Sequence, residues 1–534
     1  MKFKMSFFAA FFICMSALFA QSKDAPLTVA EKSNYETTSR YNDVMSFIEK
    51  LESLSSYIRT EYIAETTEGR SVPLMIIADP LPLPNNKLIN DDRIVVYIQA
   101  NIHAGEVEGK EASLMLARDI LLANTPDYLK DIILLITPVF NADGNEKISQ
   151  DNRSYQNGPV NGVGIRYNGQ NLDLNRDGIK VETPEVRGMI TNILNKWDPA
   201  VSVDLHTTNG SYHEEPITFT WMNDPNGDRQ LLNYMRDKMM PWVQKTLSEK
   251  YKTLNCFYGN FIDRADIDKG WAVGAVGPRY IVNYIGLRNR IAILDENYVY
   301  ADFKSRVLGC YNLLKSILDY TAANKNEIKQ MLKDADKRTI ARGLNPADQD
   351  SIAIEYKAKP TPQKTTIRAF EYDIDPNETG WRRFKKSDRQ RTISVPYYAD
   401  YFGTRHVSMP KAYILTINDQ KIIELLNIHG IKFERLEQPA LYNVQTFKIT
   451  KLSPGQRLNQ GHYNNNAKGE YISETKEFPA GTIIVKTGQR LGNLVTNLFE
   501  PETEDGLLRW NFFDRYLVPQ WGSGFLPYPV YKIF

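Results

Sequence analysis

The chain has 534 residues, enough for two or three domains, and its 42% hydrophobic and 24% charged residues are the mix of an ordinary globular protein. A formal net charge of +1 excludes an electrostatic case for nucleic acid or an anionic membrane as partner. Beyond Cys14, only Cys256 and Cys310 remain, too few for a disulfide framework; one bridge or two buried thiols are both open.

Lys2 and Lys4 precede an apolar run over residues 7–19, then Ala20-Gln21. This pattern predicts a secretory signal cut after Ala20, and so a periplasmic or extracellular protein. The run is short for a transmembrane span, so no stable membrane insertion is expected after cleavage. Cys14 lacks the small preceding residues that a lipoprotein cut would want.

Residues 33–54 read as a helical entry segment, and residues 72–77 and 93–100 as strands. A buried apolar run over 132–139 ends at Asn141-Ala142-Asp143-Gly144, where Asp143-Gly144 supplies turn chemistry. Residues 183–197 form a helix with Thr183 as N-cap and Pro184 at its first position. A short strand over 201–205 follows, then a helix over 231–251, an irregular stretch to Gly277, a strand over 291–294 and a long helical region over 302–336. Strands alternating with helices predict an α/β fold, a mixed, mostly parallel sheet flanked by helices.

After Arg342 the texture changes. The expected division is a signal at 1–20, an α/β domain at 21–342, a polar linker at 343–364 and a smaller β-rich C-terminal domain at 365–534, to which no activity is assigned. Within the last part, Tyr413-Ile414-Leu415, residues 420–428 and Ile431-Lys432-Phe433 read as strand, helix, strand.

The chemistry concentrates at strand ends, where ligands bind in open α/β sheets. His103 and Glu106 follow the apolar run at 94–98, and an imidazole and a carboxylate three residues apart can reach one Zn²⁺. His206 ends the strand at 201–205. His213, the only other histidine in the first 400 residues, follows the loop Asn209-Gly210-Ser211-Tyr212 and is assigned a flexible or substrate-facing role rather than ligation. In Asp173-Leu174-Asn175-Arg176-Asp177, Asn175 with Arg176 can fork onto a carboxylate, and Asp173 can hold a ligand imidazole by its second nitrogen. Asp295 and Glu296 end another strand and point to opposite faces, so only one can serve as the base that a metal hydrolase needs.

In order, these motifs resemble the zinc metallocarboxypeptidases, the carboxypeptidase A-like peptidases, over residues 34–339. The resemblance implies one Zn²⁺ per chain held by His103, Glu106 and His206, and Asp173 orienting His103. It also implies Asn175 and Arg176 on the substrate's C-terminal carboxylate and Glu296, not Asp295, as general base. Ala142 stands where the family has Pro. Arg166 is the expected carbonyl-polarising arginine, with Arg153 the alternative. The family's mobile tyrosine has two candidates, Tyr280 and Tyr284, of which Tyr284 is taken as substrate-binding. The implied partner is a peptide, cleaved at its C-terminus. The alternatives are a zinc-dependent deacylase or amidase on acylated amino acids or cell-wall peptides, and a non-catalytic binding protein on a peptidase scaffold.

Overall fold

The structure, a computed structural model, describes residues 25–83, 91–274 and 276–534; the signal expected at 1–20 lies outside them. Among the described residues, ten strands form before residue 300: β1 (Ile58–Glu65), β2 (Ser71–Ile77), β3 (Ile94–Ala100), β4 (Ile132–Thr137), β5 (Val201–Thr208), β6 (Ile217–Trp221), β7 (Asn255–Phe257), the short β8 (Asn260–Phe261) and β9 (Trp271–Ala272), and β10 (Ile291–Tyr298). Eight of them make one sheet in the order β1-β2-β4-β3-β5-β10-β6-β7. The pairs β3–β4, β3–β5, β5–β10 and β6–β7 are parallel; β1–β2, β2–β4 and β6–β10 are antiparallel. Strands β3 and β4 are buried along their whole length and apolar but for Gln99 and Thr137, as strands covered on both faces tend to be. Helices Glu108–Leu121 and Phe303–Ala323 pack against each other beside the sheet.

Local departures from the expected elements have local causes. Asn34 and Tyr35 adopt φ of 50° and 65°, so a short helix, Val29–Lys32, is separated from helix Tyr41–Leu54. The segment expected as a turn is a helix, Ala142–Glu146, because Asn141 Oδ1 caps it by accepting from the Gly144 amide at 2.9 Å. The long helical region breaks at Asn324 into Phe303–Ala323 and Lys325–Leu344.

The segment expected as a linker is instead mostly strand β11 (Ser351–Pro360). Ile352, Ala353 and Ile354 are buried while the distal half is exposed, which made the composition look polar. The next strands are β12 (Thr365–Ile374), β13 (Phe384–Val395) and β14 (Tyr397–Ser408). β11 pairs with β14, and β14 pairs with β9, so the sheet β11-β14-β9-β8 is shared between the two parts of the chain. A further sheet has the order β16-β19-β15-β20-β17-β18, from β15 (Ala412–Leu415), β16 (Glu434–Arg435), β17 (Ala440–Pro454), β18 (Asn465–Phe478), β19 (Ile483–Lys486) and β20 (Val530–Ile533). Helix Gln420–His429 ends at Gly430, whose φ of 80° only glycine adopts freely; the strand expected at 431–433 lies at β16.

One hydrophobic cluster runs from Ala30 to Val530 through both parts. His429 marks the join: its Nδ1 lies 2.7 Å from the Tyr284 hydroxyl and its Nε2 3.1 Å from the Ile179 carbonyl, an arrangement for a neutral ring that donates to the carbonyl and accepts from the phenol. Burial, and then the Arg288 charge, push the ring down to about 3. An unfolded histidine titrates near 6.5, so below that pH the unfolded chain binds a proton that the native state refuses. Heating should therefore give one transition for the whole chain, and its stability should fall by up to ~1.4 kcal/mol per pH unit between pH 6.5 and 3. Urea midpoints of His429→Gln should show a shallower acid slope; an unchanged slope removes His429 as its source.

Candidate metal centre and active-site cleft

The loop after β3 is shaped by Asn101, at φ 63°, whose side-chain amide donates to the carbonyls of Ala104 and Glu106. That tight turn brings His103 Nδ1 to 3.1 Å from Glu106 Oε1. β5 lies next to β3, and from it His206 Nδ1 comes to 3.2 Å from His103 Nδ1 and 3.0 Å from Glu106 Oε2. All three residues are 3% exposed. Each ring is gripped at its other nitrogen: His103 Nε2 is 3.0 Å from Asp173 Oδ1, and His206 Nε2 is 2.9 Å from Asp204 Oδ2. Asp204 escaped the sequence reading, although it stands two residues before His206 on a strand and so shares its face.

The donor set fits a divalent cation. Two ring nitrogens and a carboxylate converge, buried, where a single ion would meet all three lone pairs. Burial opposes charge on Glu106, but the His103 and Arg153 charges outweigh it and hold the carboxyl well below its usual range. Burial likewise opposes protonation of His206, yet Asp204 and Glu106 hold its ring well above 6.5. The pull on a proton there is a pull on any cation. His213, Glu215 and Cys256 also bring three donor atoms within 4.8 Å of one another, one short of the four that closed structural sites use. His213 is buried and stacked on Tyr298 at 3.8 Å, away from the cleft, which corrects its expected substrate-facing role.

The donors open into a cleft of about 270 Å³ that also carries Arg153, Arg166, Asn175, Arg176, Tyr280 and Glu296. Glu296 pairs with His206 across β10 and β5 and faces the cleft, whereas Asp295 is buried behind the strand and accepts from Asn297 at 2.8 Å. Desolvation pushes the Glu296 carboxyl up to about 8, against the His206 charge and with help from Glu106; a bound cation would bring it back down. Arg153 is committed to Glu106 at 2.7 Å and to the Thr207 carbonyl at 3.1 Å. The Arg166 side chain is 37% exposed and meets Asp173 at 2.8 Å.

Arg176 donates to the Asn175 carbonyl at 2.8 Å, and its guanidinium lies 4.4 Å from the Tyr280 ring centre. Asp177 is occupied elsewhere, by Lys180, Thr183 and the Glu182 amide, so it does not tie Arg176 down. Tyr284 does not reach the cleft: it is fully buried, with its hydroxyl on His429 and Arg288, and Tyr280 stands at the rim in its place. The cleft walls include Trp221, Asn223, Tyr258, Val273, Val282 and Leu294, none of which the sequence singled out, because they come from five separate stretches of chain. Cys256 and Cys310 are separate buried thiols.

A mixed α/β sheet with two imidazoles, a carboxylate and a second, cleft-facing carboxylate at its strand ends defines a metal-dependent hydrolase. Residues 44–263 match the family described as zinc carboxypeptidase. The matched segment is similar to a zinc carboxypeptidase domain, and with the fold it indicates a zinc metallopeptidase hydrolase. Carboxypeptidase 2 of Trichophyton rubrum is 22% identical over 486 residues, covering 85% of this chain and 81% of its own, an extent that takes in much of the C-terminal part. Carboxypeptidase 2 of Trichophyton tonsurans is 22% identical over 480 residues, covering 84% and 79%. The carboxypeptidase A structure from Helicoverpa armigera aligns over 55% of this chain and 75% of its own at 16% identity and a TM-score of 0.40.

Proposed function

We propose that the protein is an exported carboxypeptidase that removes single residues from peptide C-termini, with residues 1–20 as the leader and the catalytic machinery within 21–342. The supporting observation is that Arg176, free of Asp177, shares one cleft with the three donors and Glu296. His103, Glu106 and His206 would hold one Zn²⁺, with Asp173 and Asp204 fixing the two rings. The ion would supply Lewis acidity and a water of pKa about 7. Glu296 takes the proton of the attacking water and passes it to the leaving amine. Arg166, the more exposed of the two arginines, faces the carbonyl oxygen as it gains charge. Asn175 and Arg176 hold the terminal carboxylate. Among the described residues no helix is long and apolar enough to cross a membrane.

Elemental analysis tests the metal assignment. The purified protein should carry one zinc per chain, and His206→Ala should lose most of it, because two remaining donors bind far more weakly than three. Full zinc occupancy in that variant would overturn the ligand set.

A further inference from the structure

The wall of the cleft that carries Val273, Gly274 and Tyr280 is laid on the C-terminal part of the chain. β9 pairs in parallel with β14, the Val273 amide donates to the Tyr398 carbonyl at 3.2 Å, and the Tyr401 hydroxyl donates to the Val273 carbonyl at 2.9 Å. Further on, the Arg279 amide and Nε donate to Asp505 Oδ2 at 3.2 and 3.1 Å, and its Nη2 donates to Glu504. Asp505 is fully buried and the Arg279 side chain is 12% exposed. Tyr280, the next residue, has its ring near two guanidiniums, 4.4 Å from that of Arg176 and 5.7 Å from that of Arg279. A second tether reaches the residue that holds His103. Gln460, between β17 and β18, accepts from the Asp173 amide at 2.7 Å, and Asp173 is the residue on His103 Nε2.

We propose that Asp505, through Arg279, is a positioning residue of the peptidase site: it sets Tyr280 against Arg176 and so holds the group that reads the substrate's terminal carboxylate. The C-terminal part is then a working piece of the active site rather than an appended module. A buried carboxylate that accepts both a backbone amide and a guanidinium fixes the loop in one geometry; an amide side chain keeps one acceptor oxygen but loses the charge that holds the guanidinium and sets an NH2 beside Arg279 Nε, 3.0 Å from Asp505 Oδ1. Because neither residue touches the reacting atoms, loosening it should weaken recognition of the carboxylate and leave bond cleavage itself nearly unchanged.

This inference rests on the carboxypeptidase reading, and the test separates the two. Full-length wild type, Asp505→Asn and Asp505→Glu are compared on one peptide with a free C-terminus and on its amide. For Asp505→Asn, KM for the free acid should rise ten- to a hundredfold, kcat should stay within about threefold, and the rate on the amide should not change. Asp505→Glu should recover part of the KM. A selective wild type with Asp505→Asn equally selective overturns the positioning role alone, and so does an equal loss on acid and amide, which marks general loosening. A wild type that treats acid and amide alike overturns the carboxypeptidase reading and this inference with it. Should Asp505→Asn fail to fold, Arg279→Lys, which keeps the charge but loses the fork, is read on the same scale, and wild-type KM in that variant overturns the proposal.

Discussion

Replacing Glu296 by Gln should reduce kcat by two to four orders of magnitude while zinc content and thermal stability stay as in wild type. The amide has nearly the shape of the carboxylate but cannot take a proton, and general-base catalysis is worth that range. Position supports Glu296 over its neighbour. Strand alternation turns Glu296 into the cleft opposite His206 and buries Asp295 against Asn297. Asp295 lies behind the strand with its Oδ2 on Asn297, away from the cleft, so it has no reach to a substrate there. Asp295→Asn should therefore affect stability more than turnover. Steady-state kinetics on the two variants, with metal analysis on the same samples, decide the matter. Near-normal turnover in Glu296→Gln beside an inactive Asp295→Asn would reverse the assignment.

Amidating the C-terminus of a good substrate should lower kcat/KM by about a hundredfold or more, and Arg176→Ala should erase most of that difference. A free carboxylate matches the planar guanidinium with two parallel hydrogen bonds, and losing a charged hydrogen-bonded pair costs a few kcal/mol. Arg176 is available for that duty. Its side chain is 25% exposed and its nearest carboxylate, Asp173, lies 3.7 Å away and is already engaged with His103 and Arg166. The cleft of about 270 Å³ leaves limited room beyond the three donors and Glu296, so Arg176 sits where a chain end would be measured. Arg176→Ala should act slowly on both acid and amide, at similar rates, and Arg176→Lys should fall between, since lysine keeps the charge and loses the fork. Equal wild-type rates on acid and amide would remove the carboxypeptidase reading and leave internal cleavage or deacylation.

Much of the site was legible in the linear chain because its signals are short-range. His103 and Glu106 are three residues apart at a strand end, Asp173, Asn175 and Arg176 share one loop, and alternation along a single strand separates Asp295 from Glu296. The strand runs at 71–77, 94–100 and 132–137 and the Thr183 cap were equally visible, since periodicity and capping depend on neighbours within a turn or two. Misreadings arose where a local signal had a distant partner. Tyr284 looked like a cleft tyrosine, but its hydroxyl is claimed by His429, 145 positions away. Residues 351–360 looked like a linker, but their exposed half belongs to a strand whose partner lies at 397–408.

The sequence by itself pointed to candidate donors, carboxylates and a cationic fork, and to their place at strand ends of an α/β sheet. Only the tertiary structure decided their convergence, because strand order, β3 beside β5 beside β10, is a matter of long-range packing that no local pattern encodes. It also decided how the C-terminal part meets the rest of the chain. β14 continues the sheet begun by β9, one apolar cluster crosses the join, and Asp505 and Gln460 hold Arg279 and Asp173, neighbours in sequence of the cleft residues Tyr280 and Asn175, from a part of the chain that composition marked as belonging elsewhere. Buried polar groups must find partners wherever the fold brings them, and those partners cannot be read before the fold is known.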